Sequence, residues 1–261
     1  MADYKFLSVS VEEAVATVQL NRPPVNALSR DFLREIQQAI EAIQKDSQAK
    51  AVVIASAIPN VFIAGVDLKE MGAITNPEEI LEVLRLGQKV FSAVENSDKP
   101  VIAAIHGACV GGGQELAMAC HIRIASDRTR FAQPEIALGI MPGFGGTQRL
   151  ARIVGASRAA ELILTGDLIT PQDAFRIGLI NRVVSDGALL KTARETAKKI
   201  ARHGLPAIRA SLRALRAGLD LPLEQGLRTE ENEFKTLLTT RDMREGIQAF
   251  LEKRQPKFTD S

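Results

Sequence analysis

The sequence predicts an α/β fold, because short apolar runs alternate with longer segments of helical periodicity. Residues 51–55 and Val101–Ile105 are continuously apolar, which is typical of strands buried on both faces, and residues 122–125 predict a third strand. Strands separated by helices favour a parallel sheet. After about residue 142 helical periodicity dominates, so we expect a βα core followed by a helical C-terminal portion.

The elements near the N-terminus follow from local signals. Residues 14–20 mix β-branched and apolar side chains and predict the first strand, which the Asn-Arg-Pro-Pro sequence at 21–24 ends. Ser29 is predicted to cap a helix whose apolar residues recur at helical spacing as far as Ile43. Residues 77–94 predict another helix, with proline and two glutamates in its first turn.

Composition argues against several classes of function. The chain has 261 residues and a net charge of +2, so neither nucleic acid nor an anionic membrane would attract it strongly. It has no Trp and one Tyr, which leaves no series of aromatic residues for base stacking. We therefore expect neither a nucleic-acid nor a membrane partner.

Cysteine use and the chain's N-terminal part predict a cytoplasmic protein. Cys109 and Cys120 both lie in apolar surroundings, as expected for buried, reduced thiols. No basic-then-apolar signal peptide precedes Tyr4, and no run of 18 apolar residues occurs.

The glycine-rich segment 107–119 carries the strongest chemical signal. Its glycines follow a predicted strand and begin a short apolar helix, whose first N–H groups have no internal partner and suit a developing negative charge. Glu115 is the single acid in that helix, and a buried carboxylate costs several kcal/mol unless it is partnered. It is either catalytic or a structural acid bonded to a buried Arg or to backbone.

A second acid, Glu135, stands in an apolar loop between Pro134 and Gly139. It is either catalytic or an exposed acid on a turn. The strand predicted at 122–125 lies between Glu115 and Glu135, so the chain can return to the same end of the sheet. Two carboxyls meeting there could share one water, one accepting a proton while the other delivers one to carbon. Their mutual repulsion would raise one pKa.

Other segments are less specific. Residues 61–70 predict a turn at Gly65, after which the Val66 N–H could meet the Gly112 N–H in an oxyanion hole; the alternative is an ordinary strand-to-helix turn. The glycines at 143–146 indicate tight packing or a binding wall, and neither glycine-rich segment matches a nucleotide-binding motif. The three histidines lie at no metal-ligand spacing, so no metal is expected.

Four segments together resemble the crotonase, or enoyl-CoA hydratase/isomerase, superfamily over nearly the whole chain. They are Ala64-Gly-Val-Asp-Leu-Lys-Glu70, His106-Gly-Ala-Cys-Val-Gly-Gly-Gly-Gln-Glu115, Gln133-Pro-Glu-Ile-Ala-Leu-Gly139 and Pro142-Gly-Phe-Gly-Gly-Thr-Gln-Arg-Leu150. The resemblance implies a spiral ββα core over residues 1–200 and a helical trimerisation region over 201–261. It also implies a homotrimer or a homohexamer made of two trimers.

The resemblance further implies an acyl-CoA thioester substrate and assigns site residues. The N–H groups of Val66 and Gly112 correspond to the oxyanion hole, and Glu115 and Glu135 to the catalytic acids. Lys257 corresponds to a C-terminal lysine that, in some members, reaches the CoA phosphates of a neighbouring subunit. The residues corresponding to the substrate-binding segment are Ala64, Val66, Asp67, Leu68, Lys69 and Gly112.

Because both glutamates are present, the resemblance favours an enoyl-CoA hydratase, which adds water syn across the C2–C3 double bond of 2-trans-enoyl-CoA in fatty acid β-oxidation. Glu115 would activate the water and Glu135 would protonate C2, with no metal or redox cofactor. The alternatives are a branched-chain hydratase such as a methylglutaconyl-CoA hydratase, a 3,2-enoyl-CoA isomerase, or an RNA-binding protein on the same fold that uses an arginine stripe of Arg209, Arg213 and Arg216.

Two positions depart from the usual family pattern. His121 stands where many members have Asp, so a local polar contact is expected to differ. Val66 is larger than the common Ala or Gly, and its branched side chain is expected to narrow the pocket while leaving the N–H in place.

Overall fold

The structure is a computed structural model that describes residues 4–261. Those residues form nine strands, eleven helices and two short 3-10 turns. The strands are β1 (Leu7–Glu12), β2 (Val15–Leu20), β3 (Ala51–Ser56), β4 (Val61–Ala64), β5 (Val101–Ile105), β6 (Ala108–Val110), β7 (Ile122–Ser126), β8 (Arg130–Ala132) and β9 (Arg182–Val184).

The helices occupy the intervals between strands and most of the C-terminal half. They are α1 (Arg30–Lys45), α2 (Leu68–Ala73), α3 (Pro77–Glu95), α4 (Gly112–Ala119), α5 (Gly146–Val154), α6 (Ala156–Thr165), α7 (Pro171–Arg176), α8 (Leu189–Ala201), α9 (Leu205–Gly218), α10 (Leu223–Leu237) and α11 (Arg241–Leu251). The 3-10 turns are Pro134–Leu138 and Asp186–Ala188. The α/β prediction is confirmed.

The strands form two sheets that the chain visits alternately. The larger sheet has the order β1-β2-β3-β5-β7-β9 and is parallel except for the β1–β2 hairpin, and the smaller sheet has the parallel order β4-β6-β8. Each of the pairs β3–β4, β5–β6 and β7–β8 places one strand in each sheet before a helical segment follows. The result is a spiral of ββα turns, as the resemblance implied.

The apolar character of the central strands follows from their two buried faces. On β3, Val52 and Ile54 belong to the core cluster that contains α1 and α3. Ala51 and Val53 belong to a second cluster, which includes Ala193 and Ala197 of α8. With helices and the smaller sheet on one side and α8 on the other, residues 51–55 of the strand are all buried, which is why their sequence does not alternate.

Local signals located the longer elements well. The side chain of Ser29 accepts a hydrogen bond from the Phe32 N–H at 3.2 Å, so the predicted N-cap of α1 is confirmed. The predictions at 14–20 and 77–94 correspond to β2 and α3 within one residue at each end. The strands of the smaller sheet and β9 have only three or four residues and did not stand out in the sequence.

Both cysteines are free and buried, as predicted. Burial raises the pKa of the Cys120 thiol to about 12 and also raises that of Cys109. Both thiols are therefore protonated at neutral pH and serve as core side chains.

None of the helices in residues 4–261 combines the length and the apolar content needed to cross a bilayer. The same residues contain no group of three or more His, Cys, Asp or Glu side chains placed to hold a metal ion.

Candidate active site

Glu115 lies in α4 and is 1 % exposed. Its Oε1 accepts hydrogen bonds from the backbone N–H groups of Phe144, at 2.8 Å, and Gly146, at 2.6 Å. Its Oε2 accepts none from the described residues. The loop before α5 thus holds one carboxylate oxygen and leaves the other for a ligand.

The environment of Glu115 favours a carboxyl group that titrates near neutrality. Burial, with the charge of Glu135 acting in the same direction, raises the pKa of Glu115 to about 7 against the opposing effect of its two amide donors. Gly146 permits this arrangement, because an ideal Cβ placed there would lie 2.9 Å from Oε1 of Glu115. The glycines at 143–146 therefore serve both tight packing and a site wall.

Glu135 lies in the 3-10 turn Pro134–Leu138 and is turned inward. Its Oε2 is buried and has no hydrogen-bond partner, and burial raises the pKa of its carboxyl group. An ideal Cβ on Gly111 would lie 2.7 Å from Oε1 of Glu135, so the carboxyl group packs directly against the start of α4. The alternative of an exposed acid on a turn is wrong.

Strand register explains why the two acids meet. β6 and β8 are parallel neighbours with Val110 opposite Ala132, and the Gly111 N–H donates to the Ala132 carbonyl at 2.9 Å. The chain therefore leaves both strands at one edge of the smaller sheet, where α4 and the 3-10 turn begin. Glu115 and Glu135 both line the cavity at this edge, which has a volume of about 300 Å³.

The same register places the two candidate oxyanion donors side by side. β4 and β6 are parallel neighbours with Ala64 opposite Val110, and each strand is followed by a glycine with positive φ, +82° at Gly65 and +53° at Gly111. Val66 and Gly112 come next in each segment. Neither of their N–H groups has an acceptor among residues 4–261.

The glycines of α4 also have a packing role. An ideal Cβ on Gly113 would lie 2.4 Å from the Ile63 carbonyl oxygen, and one on Gly112 would lie 2.7 Å from Cδ1 of Leu28. The absence of side chains lets α4 approach β4 closely, which keeps the Gly112 N–H beside the turn at Gly65.

The residues predicted to bind substrate divide into two groups. Val66 and Asp67 line the cavity. The Asp67 carboxylate is already engaged, since it caps α2 through the N–H groups of Lys69 and Glu70 and pairs with Arg22 at 2.6 Å. The other predicted residues lie outside the cavity wall: Ala64 at the end of β4, Leu68 and Lys69 on the exposed face of α2, and Gly112 at the start of α4.

Sequence reasoning did not identify the apolar wall of the cavity. Helices α2 and α3 and the segment after the 3-10 turn supply it, and their side chains carry no motif. The apolar residues involved are Leu28, Met71, Ile74, Ile80, Val83, Leu84, Ile140, Met141 and Phe144. Phe144 had one sequence signal, as the single aromatic residue within the glycine-rich segment 142–149.

The two remaining sequence features lie away from this cavity. His121 accepts a hydrogen bond from the Val101 N–H at 3.0 Å, and burial lowers its pKa to about 4, so it is a neutral structural residue. Within the arginine stripe of α9, Arg213 pairs with Glu233 of α10 at 2.8 Å. That pairing within the helical hairpin does not favour the RNA-binding alternative.

The chain is similar to known proteins over nearly its whole length. The family described as enoyl-CoA hydratase/isomerase matches residues 10–261. The chain is similar to a crotonyl-CoA hydratase of Syntrophomonas wolfei, with 41% identity over 98% of both chains, and to a short-chain-enoyl-CoA hydratase of Clostridium acetobutylicum, with 44% identity over 94% of both. The crystal structure of an enoyl-CoA hydratase from Bacillus anthracis covers 98% of this chain with a TM-score of 0.95 and 37% identity.

Proposed function

The chain belongs to the enoyl-CoA hydratase/isomerase family, and we propose that it adds water to the C2–C3 double bond of a 2-trans-enoyl-CoA to give the 3-hydroxyacyl-CoA. One observation carries the proposal: a buried carboxyl group, Glu115, and a half-buried one, Glu135, line one small cavity beside two unpaired turn amides. This arrangement has a place for an oxyanion and for each of the two proton transfers that hydration requires.

In the proposed complex the thioester oxygen lies between the N–H groups of Val66 and Gly112. As water adds to C3, electrons move from the double bond toward this oxygen, and the two donors stabilise the growing negative charge. Gly112 is the first residue of α4, so the positive end of the helix dipole acts in the same direction. Removal of one such donor typically lowers the rate of the chemical step by about 10²–10³-fold.

The proton transfers are assigned to the glutamates. Glu115 takes a proton from the water as its oxygen bonds to C3, and Glu135 delivers its proton to C2. A proton then passes from Glu115 to Glu135 to restore the starting state. No metal or redox cofactor enters the proposal, because the thioester carbonyl with its amide donors already accepts the electrons.

Activity is expected to depend on pH with a bell-shaped profile of kcat/KM. The active form has Glu115 ionised and Glu135 protonated, so the two carboxyl groups together hold one proton. The pair loses that proton near the pKa of Glu115, about 7, and activity falls about tenfold for each pH unit above that value. At lower pH the pair binds a second proton, so activity falls again below the raised pKa of Glu135. A steady-state profile of the wild-type enzyme from pH 5 to 10 measures both limbs, and a flat profile across this range would contradict the assignment.

The activity itself is tested with crotonyl-CoA. Hydration removes the conjugated enoyl thioester, so its ultraviolet absorbance should fall and 3-hydroxybutyryl-CoA should appear in the mass spectrum. A 3-enoyl-CoA serves as the second substrate, since isomerisation would instead raise the absorbance and make no hydroxyacyl product. Absence of hydration with straight-chain and branched substrates alike would refute the proposal.

We propose a homotrimer, or a hexamer of two trimers, as the assembly. The C-terminal helices of the described chain expose large apolar side chains that a monomer rarely leaves in water, among them Leu215, Leu219, Leu223, Phe250 and Leu251. Light scattering should give three or six times the 28.3 kDa of one chain, and a monomer would exclude the assembly. A cytoplasmic location is proposed on the two buried, free thiols.

A further inference from the structure

The aromatic ring of Phe144 lies at the apolar side of the cavity. The residue is 4 % exposed and packs edge-to-face on Phe91 of α3, with ring centroids 5.6 Å apart. The backbone N–H of the same residue donates to Glu115, so the ring belongs to a residue that holds the candidate catalytic acid. Whatever fills the cavity beyond the reacting carbons must accommodate this ring.

The surroundings of Phe144 hold the ring in place. An ideal Cβ on Gly87 of α3 would lie 2.3 Å from Cδ1 of Phe144, so the ring sits directly against the helix backbone. An ideal Cβ on Gly112 would lie 3.5 Å from Cδ2, which puts the opposite edge beside the candidate oxyanion turn. With Phe91 at a third side, the ring cannot swing away without displacing core residues.

We infer that Phe144 limits the length of the acyl chain and makes the protein selective for short-chain enoyl-CoA, an inference that rests on the proposed hydratase function. The cavity of about 300 Å³ is at the lower end of the range for small-molecule sites. The ring lies between α3 and the turn before Gly112 and forms part of the cavity wall, so it reduces the space available to the acyl chain. Gly87 makes this position of the Phe144 ring possible, because the absence of a side chain at Gly87 leaves room for the ring.

The test measures kcat/KM for 2-trans-enoyl-CoA substrates of four, six, eight and ten carbons in the wild type and in Phe144→Ala and Phe144→Leu. The backbone donor to Glu115 remains in both variants. We expect the ratio of the ten-carbon to the four-carbon value to rise at least about tenfold in Phe144→Ala, the effect of removing a steric barrier in an apolar pocket. Phe144→Leu should shift the ratio less.

A second variant is expected to change the chain-length preference in the direction opposite to Phe144→Ala, a result that a general loss of folding would not produce. Gly87→Ala should push the Phe144 ring into the cavity and lower kcat/KM for six carbons or more relative to four. In the Phe144→Ala background the same Gly87→Ala change should have little effect, since the clash is gone. Phe32→Leu is the matched control, because Phe32 is a fully buried aromatic residue of α1 outside the cavity lining.

The outcomes separate the two proposals. An unchanged length ratio in folded Phe144→Leu and Gly87→Ala, with an active wild type, would overturn the role of Phe144 and leave the hydratase proposal standing. A wild type that hydrates ten-carbon substrate as well as four-carbon substrate would do the same. A wild type that hydrates no enoyl-CoA would overturn both. Inhibition constants of saturated acyl-CoA of the same lengths should follow the same order.

Discussion

Replacing Glu115 by glutamine is expected to lower kcat for hydration by about 10²–10⁴-fold, the range that a positioned general base supplies. A neutral amide cannot accept the proton from water at any pH used for assay. The substitution keeps the size of the side chain, and the amide oxygen can still accept from the Phe144 and Gly146 N–H groups that hold Oε1. The loss should therefore appear in kcat with only a small change in KM.

Stability provides the control for Glu115→Gln. The folded-state pKa of about 7 lies above the ordinary value of 4.5, so any stability linked to this proton is present below pH 4.5 and lost as pH rises through 7. The ionised group thus costs up to about 3 kcal/mol at alkaline pH. Glu115→Gln should have a higher Tm than wild type at pH 8 and the same Tm at pH 4. A variant with full activity would remove Glu115 from the mechanism.

Replacing Glu135 by glutamine is expected to lower kcat by a similar factor, about 10²–10⁴, because an amide cannot deliver a proton to C2. The Oε2 atom of Glu135 has no hydrogen-bond partner, so little packing or bonding is lost with its charge. Since the charge of Glu135 helps to raise the pKa of Glu115, that pKa should fall in the variant, and the residual activity should rise with pH through the lowered value. The alkaline limb should disappear.

The double variant and a surface control sharpen these results. If the two acids act on one water and one double bond, Glu115→Gln and Glu135→Gln together should cost little more than the worse single change. Fully multiplicative losses would indicate that they act independently. Glu41→Gln, on the exposed face of α1, should retain wild-type activity and so show that removal of a glutamate charge is not harmful in itself.

The interpretation of individual residues shows where sequence reasoning succeeded. Glu115 stood out because it is the single acid in an otherwise apolar helix. Ser29 stood out because a serine directly before a segment of helical periodicity is typical of an N-cap. Both signals are local, since neighbouring residues determine burial and capping. The resemblance to the crotonase superfamily added the spiral order of the ββα turns, which periodicity alone does not encode.

Other residues could be interpreted only in three dimensions. The glycines at 112 and 113 suggested a ligand approaching the backbone, whereas the structure shows Leu28 and Ile63 occupying the space that their side chains would need. Asp67 looked like a residue for binding substrate, yet its carboxylate pairs with Arg22, 45 positions earlier in the chain. In each case the partner is distant in sequence, so no local pattern reports it.

By itself, the sequence determined the alternation of strands and helices, the buried central strands, the reduced cysteines and the two acids, because hydrophobic periodicity and the cost of burying charge act over a few residues. Only the tertiary structure decided that strands of three or four residues form the smaller sheet and that Val66, Gly112 and both glutamates gather at its edge. It alone placed Phe144 against Gly87. The smaller sheet, the gathering of the site residues and the Phe144–Gly87 contact all depend on strand register and on contacts between residues far apart in the chain. Those contacts exist only once the backbone has folded.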